Sequence, residues 1–282
     1  MRLNNGHRQL TITIYYCKIR SFSGDEDTMN IYAINDINDL CSIIEAINEN
    51  TISKLSERMI TRPTLWYRGQ ANSEWAILPS IFRNNNKKSE QVLCHSFYHG
   101  ATQIVSQKIP KTSYDQWVTI MQHYGLPTRL FDWTYSPLIA LFFALNDNDV
   151  YKNFDAIITI IIPELLNQKQ TFDPYIYPID SSNALNLLAP AFNKTIKSSD
   201  SILACFSTSN DLRMYAQRAA FTIHDTTKQL FEIYDDAYAY TIIIPKHKKL
   251  YFRKVLSFLD IKESFLFPDL THIAKQAINR HL

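Results

Sequence analysis

Five glycines in 282 residues leave this chain few positions where the backbone can take a positive φ or admit a close neighbour. The scarcity excludes the glycine-rich loops that cradle phosphates, and neither GxGxxG nor GxxxxGK[ST] occurs. Two of the five, Gly69 in LWYRGQ and Gly125 in QHYGLP, stand beside the stretches densest in polar and aromatic side chains. Each is expected to answer a backbone demand, either positive φ or the close approach of another group. With so few small residues, core volume has to come from large ones. Aromatics make up 13% of the chain, with 16 Tyr and 16 Phe, and 46% hydrophobic against 20% charged residues suits a packed core.

A net charge of +2 argues against a protein built to bind nucleic acid through bulk charge, and leaves a local basic groove open. Cys17, Cys41, Cys94 and Cys205 form no CxxC pair, so zinc-ribbon spacing is missing and reduced thiols are expected. The opening MRLNNGHRQL lacks the apolar segment of a signal peptide, and the apolar runs at 137–145 and 156–163 are too short to cross a bilayer. These features imply a cytoplasmic protein without a membrane partner.

Alternation and β-branched content predict strands at Gln9–Lys18, Leu65–Arg68, Ala156–Pro163, Ala220–His224 and Tyr240–Pro245, with Thr128–Trp133 extended. Helical spacing predicts helices within Asp36–Met59, Ser89–Ser106, Tyr114–Tyr124, Ser136–Leu145, Val255–Leu259 and Leu270–Arg280. Tyr175–Ser209, rich in Asn, Ser and Pro, reads as a long loop with short helices. No repeat or linker interrupts the chain. The expectation is an α+β fold: residues 1–34 as an N-terminal strand-helix extension, then one domain over 35–282.

The stretch QHYGLPTRLFDWTYSPLIALFFAL, Gln122–Leu145, joins a polar-aromatic half to a plain apolar half. That mixture suits a pocket wall followed by the helix that fixes it to the core. Arg68, at a strand end before Gly69, can hold a phosphate or carboxylate bidentately, or pair with an acid such as Asp132 and brace the fold. His123 suits an acid/base or ligand donor, or a satisfied core histidine. Asp132 can cap the following helix or hold Arg129, Trp133 can stack on a flat ring or sit in the core, and Ser136 before Pro137 suits an N-cap. His95 and His99 share one helix face at metal-ligand spacing, with no HExxH and no acidic third ligand, so solvent-side histidines are the plainer reading.

LWYRGQ and ILPSIFR, followed by QHYGLPTRLFDWTYSPLIALFFAL, resemble the FRG domain family, whose Phe-Arg-Gly core here reads Tyr67-Arg68-Gly69. RMYAQRAAFTI (Arg213–Ile223) and FLFPDLTHIA (Phe265–Ala274) are similar to later family segments, so the resemblance runs over roughly residues 35 to 280. Ala219 and His272 stand where the family usually has Gly. The order of parts also looks like a mono-ADP-ribosyltransferase core, with a split mixed or antiparallel sheet flanked by helices. That likeness implies an enzyme that uses NAD as substrate, with Arg68, Gln217 and Glu232 as catalytic residues. Gln70, His123, Tyr124, Thr128, Arg129, Trp133, Thr134 and Ser136, with Arg68, would hold the dinucleotide. It further implies a bacterial toxin or antiviral effector with an RNA or protein acceptor and an antitoxin partner. Three alternatives stand beside it: a non-catalytic module that binds a nucleotide or nucleic-acid end, a nuclease holding metal at Asp132, and a scaffold whose motifs only brace the fold.

Overall fold

The computed structural model describes residues 30–56, 64–83, 90–105, 108–145, 151–207, 212–233 and 239–281. The strand expected at Gln9–Lys18, nearly all of the 1–34 extension and the polar loop Asn84–Lys88 lie outside the described residues. Within them, eight strands join one sheet: β1 (Asn30–Ala33), β2 (Trp66–Gln70), β3 (Leu130–Thr134), β4 (Ala156–Ile161), β5 (Tyr177–Pro178), β6 (Ile202–Phe206), β7 (Ala219–His224) and β8 (Ala239–Ile244). Their order is β1-β8-β4-β2-β3-β7-β6-β5. The edge pairs β1–β8 and β5–β6 are parallel and the rest antiparallel. The fold is therefore α+β with a mixed sheet, as expected.

The central join is thin. Five residue pairs link β2 to β4 and five link β3 to β7, but β2 and β3 meet at a single pair, Tyr67 with Thr134. Beyond that pair the strands part, leaving two four-stranded halves.

On one face, α1 (Ile37–Ser56), α5 (Pro137–Leu145) and α10 (Lys249–Phe258) cover the β4 half, burying Ile43, Leu141 and Phe252 against Ile158, Ile160 and Ile242. On the other half, α3 (Glu90–Ala101), α4 (Tyr114–His123) and α7 (Ser182–Leu188) bury Cys94, Trp117 and Leu187 against Leu130, Leu203 and Phe221. The opposite face carries Trp66, Phe131, Trp133 and Ile157, packed with Leu166 of α6 (Pro163–Lys169) and Leu230 of α9 (Leu230–Ile233). β4 is buried along its whole length, which is why AIITII reads as an unbroken apolar run rather than an alternating one.

The two singled-out glycines answer different demands. Gly125 has φ +79 and ends α4. Gly69 lies under α5, where an added Cβ would stand 1.8 Å from the Ala140 carbonyl oxygen. The small residues Ala140 and Ala144 are one turn apart on the helix face that meets it. Pro137 occupies the first turn, and Ser136 Oγ accepts from Ile139 N at 3.4 Å, which makes Ser136 the helix cap.

Three expectations change. β2 runs through Gly69 to Gln70 instead of stopping at Arg68. The stretch 175–209 has a short helix, α7, as expected, but also holds β5 and the strand β6, whose five residues sit between polar flanks that mask them. The helix expected at Val255 begins at Lys249, a buried lysine whose Nζ donates to the carbonyls of Ala71 and Tyr151, each at 2.9 Å.

Candidate functional site

A cavity of about 280 Å3 lies where β2 and β3 part. β2 contributes Arg68, Gly69 and Gln70, and β3 contributes Asp132, Trp133 and Thr134. Gln122 and His123 reach it from the end of α4, and Phe143 from α5. The far wall is α8 (Leu212–Ala216) with the residues after it, supplying Arg213, Met214 and Gln217.

Arg68 spans the gap that the strand ladder leaves. Its Nη1 donates to the Asp132 backbone oxygen at 2.6 Å and stands 4.0 Å from the Asp132 carboxylate. Its guanidinium lies 3.8 Å from the centre of the Phe131 ring, a cation–π seat. Burial pushes the Arg68 pKa down to about 10, with Asp132 opposing and Arg83 adding to the shift. The group therefore stays charged at neutral pH. Arg83, at the end of α2 (Ser80–Arg83), also borders the cavity and lies 5.8 Å from the same ring. Its Nε donates to the Leu78 carbonyl at 2.6 Å, and burial lowers its pKa too.

Among the described residues lining the cavity Asp132 is the only carboxylate, set among three arginines. Gln122 holds it, with Nε2 at 3.0 Å from both carboxylate oxygens. The amide cannot turn away, because Gln122 Oε1 accepts from the Thr128 hydroxyl. A buried threonine thus fixes a glutamine, which fixes the acid. The Asp132 side chain remains 53% exposed at the cavity mouth.

Of the residues expected at a site, the structure brings together Arg68, Gln70, His123, Trp133, Thr134 and Gln217. Trp133 is mostly core, its Nε1 donating to Thr222 Oγ1 at 2.9 Å, and Thr134 Oγ1 donates to the Gln217 carbonyl at 2.7 Å. Gln217 Nε2 donates to Leu266 O at 3.1 Å.

Five expected residues stand apart from the lining. Tyr124 is exposed and packs edge-on against His123. Thr128 is the brace just described, and Ser136 is a helix cap. Arg129 is a structural ion-pair centre, not a partner of Asp132. It contacts Glu90 at 2.7 Å and Asp225 at 2.7 Å, which tie β3 to α3 and to the end of β7. Burial works against its charge, yet the two carboxylates raise its pKa above the ordinary arginine value. Glu232 lies exposed on α9 and does not border the cavity. Sequence order placed that acid; the fold puts Asp132 in the cavity instead. The reading of the sequence also missed Gln122, Arg83, Trp75 and Phe143. Arg83 closes the quoted ILPSIFR motif, which was its available signal.

His95 and His99 are both exposed, and His95 Nε2 is 2.9 Å from the Phe192 carbonyl. Among the described residues no group of three or more His, Cys, Asp or Glu side chains is placed to hold a metal ion, and no helix is long and apolar enough to cross a membrane.

Residues 63–153 match the family model of the FRG domain, which supports the resemblance over that segment. The match takes in the β2, α4, β3 and α5 sides of the cavity and leaves out the wall formed by Arg213, Met214 and Gln217. No curated protein and no solved structure matches the chain.

Proposed function

We propose that the cavity takes NAD and that the protein transfers its ADP-ribose group, with release of nicotinamide. The observation that carries this reading is Arg68. It is a guanidinium fixed across the parting of the sheet, seated on Phe131 and lining the cavity. A volume of about 280 Å3 falls just below the range of small-molecule pockets, which run from roughly 300 Å3 upward. It suits the nicotinamide-ribose half of the dinucleotide, with the remainder extending past the mouth. Arg68, Arg83 and Arg213 supply positive charge for the diphosphate, and Trp75, Trp133, Phe143 and Phe221 supply flat apolar walls.

In the reaction, the bond between ribose C1′ and the nicotinamide ring nitrogen breaks, and nicotinamide leaves with the electron pair. Positive charge develops on the ribose, as in glycoside hydrolysis. Asp132, held by Gln122 at the mouth, is the carboxylate available to stabilise that charge. An acceptor hydroxyl or amine then bonds to C1′ and gives up its proton. RNA or protein is the acceptor class, in keeping with a toxin or defence effector that would need a neutralising antitoxin. A second reading, nucleotide binding without chemistry, draws on the exposure of Asp132: a carboxylate open to water stabilises developing charge less than a desolvated one.

The test is nicotinamide release from labelled NAD by the purified protein, with RNA and protein extracts added. The expected result is release and label transfer by the wild type, lost in Arg68→Ala and in Asp132→Asn, while Asp132→Asn still binds ADP-ribose. Binding of NAD with no release under any condition selects the non-catalytic reading.

A further inference from the structure

Three arginines border the cavity, and the fold uses them differently. Arg68 is committed to the sheet: its Nη1 donates to the Asp132 backbone oxygen, its guanidinium sits on Phe131, and its side chain is 17% exposed. Arg213 stands on the opposite wall, its guanidinium 4.8 Å from the centre of the Phe267 ring. Arg83 is exposed. Its Nε is anchored on the Leu78 carbonyl, and among the described residues neither of its Nη groups has a hydrogen-bond partner.

The position of that open end follows from its neighbours. Arg83 Cζ is 5.8 Å from the centre of the ring that seats Arg68, whose own Cζ is 3.8 Å from it. The charges also act on one another. After burial, which comes first, Asp132 raises the pKa of each arginine, and Arg83 lowers that of Arg68. The charged end of Arg83 therefore stands at the corner made by Arg68 and Asp132, and all three residues line the cavity.

That corner holds two positive charges against one negative charge, and Gln122 already holds the carboxylate. One positive charge is left over. A guanidinium with two open Nη groups is a planar fork that matches two oxygens of a phosphate. The anchor at Nε keeps the fork in place before a ligand arrives, so less side-chain freedom is lost on binding.

We infer that Arg83 is the residue that grips the ligand's phosphate, and that Arg68 is a strut that shapes the corner around it. This rests on the cavity's being a nucleotide pocket. With the nicotinamide-ribose half inside, the group for Arg83 is the 5′-phosphate on that ribose. Arg83 thus sets specificity for a phosphorylated over a plain nucleoside.

The experiment compares nicotinamide mononucleotide with nicotinamide riboside, which differ by that phosphate alone. Binding is measured by titration calorimetry, with the riboside followed by ligand-observed NMR. The wild type should prefer the mononucleotide by about tenfold or more. Arg83→Gln should remove the preference by losing the mononucleotide while its affinity for the riboside holds. Arg83→Lys, a charge without the fork, should keep part of it. A preference that survives intact in Arg83→Gln overturns the inference and leaves the nucleotide pocket standing. So does an equal loss of both ligands, which would make Arg83 a wall residue only, and so does a wild type that binds both alike. Failure of the wild type to bind NAD or the mononucleotide overturns the pocket, and the inference with it. Arg83 is exposed and gives the fold one hydrogen bond, so Arg83→Gln should melt close to the wild type. Should it fail to fold, Arg83→Lys carries the test, and an undiminished preference there overturns the inference.

Discussion

Replacing Gly69 by alanine probes whether the seat of α5 on β2 holds the fold and the site together. The new Cβ would lie 1.8 Å from Ala140 O and 2.5 Å from Ala144 N. Both atoms belong to helix backbone and cannot rotate aside, so α5 must retreat by roughly 1.5 Å to restore van der Waals contact. Retreat strips Leu141 and Ala144 from the core they share with Ile158 and Ile242. The cost belongs at the upper end for overpacking, about 3 kcal/mol. Gly125→Ala is the control: it also adds a single methyl, but at φ +79 with no atom within 4 Å, so only backbone strain of about 1 kcal/mol applies. Urea unfolding followed by far-ultraviolet circular dichroism gives both values. Because α5 also carries Phe143 into the cavity, NAD affinity should fall in Gly69→Ala and hold in Gly125→Ala. A Gly69→Ala protein no less stable than Gly125→Ala would refute the reasoning.

Arg129→Met should cost about 3–5 kcal/mol in the same unfolding assay, since it leaves the Glu90 and Asp225 carboxylates buried without their cation. A loss under 1 kcal/mol would mean those acids find other partners. His224, fully buried, has its pKa pushed down to about 3, by burial first and by Arg68 second. Its folded value lies below the unfolded value of roughly 6.5, so the unfolded chain takes the proton first and stability is lost as pH falls through that window. From pH 6.5 to 5 the wild type should lose about 1.6 kcal/mol more than His224→Gln, and equal losses would contradict a buried neutral histidine. Phe131→Leu keeps apolar bulk but removes the ring beneath Arg68, so NAD should bind about threefold to tenfold more weakly with little change in fold. Unchanged affinity would show that the Asp132 carbonyl alone holds the guanidinium.

Long, regular patterns were legible in the sequence. α4 and α5 carry their own stop and start signals, Gly125 and Pro137, and β4 and β8 are apolar runs of strand length. β6 was not legible, because five residues between Ser201 and Ser207 have too little length to show a period. Arg68 could be picked out because a scarce glycine follows it. The partners of Arg129 could not, since Glu90 is 39 residues away and Asp225 is 96, and nothing local distinguishes a buried ion-pair arginine from a ligand-binding one. The position of Glu232 outside the cavity lining was hidden for a related reason. Glu232 was picked by its place in the order of elements, whereas Asp132 owes its position to the register of β3 against β7 and to Gln122 ten residues before it.

The single pair between β2 and β3 gives the protein a seam. Elsewhere in the sheet, neighbouring strands are stitched by ladders of backbone bonds that yield only when a whole strand lets go. Here one rung and one arginine hydrogen bond cross the gap, and the rest of the hold is apolar packing of Trp66 and Ile157 against Phe131 and Trp133. A ligand gripped by β2 on one side and β3 on the other would act as the missing rungs. Its signature would be slowed amide exchange on both banks at once, extending along β4 and β7, well beyond the atoms it touches.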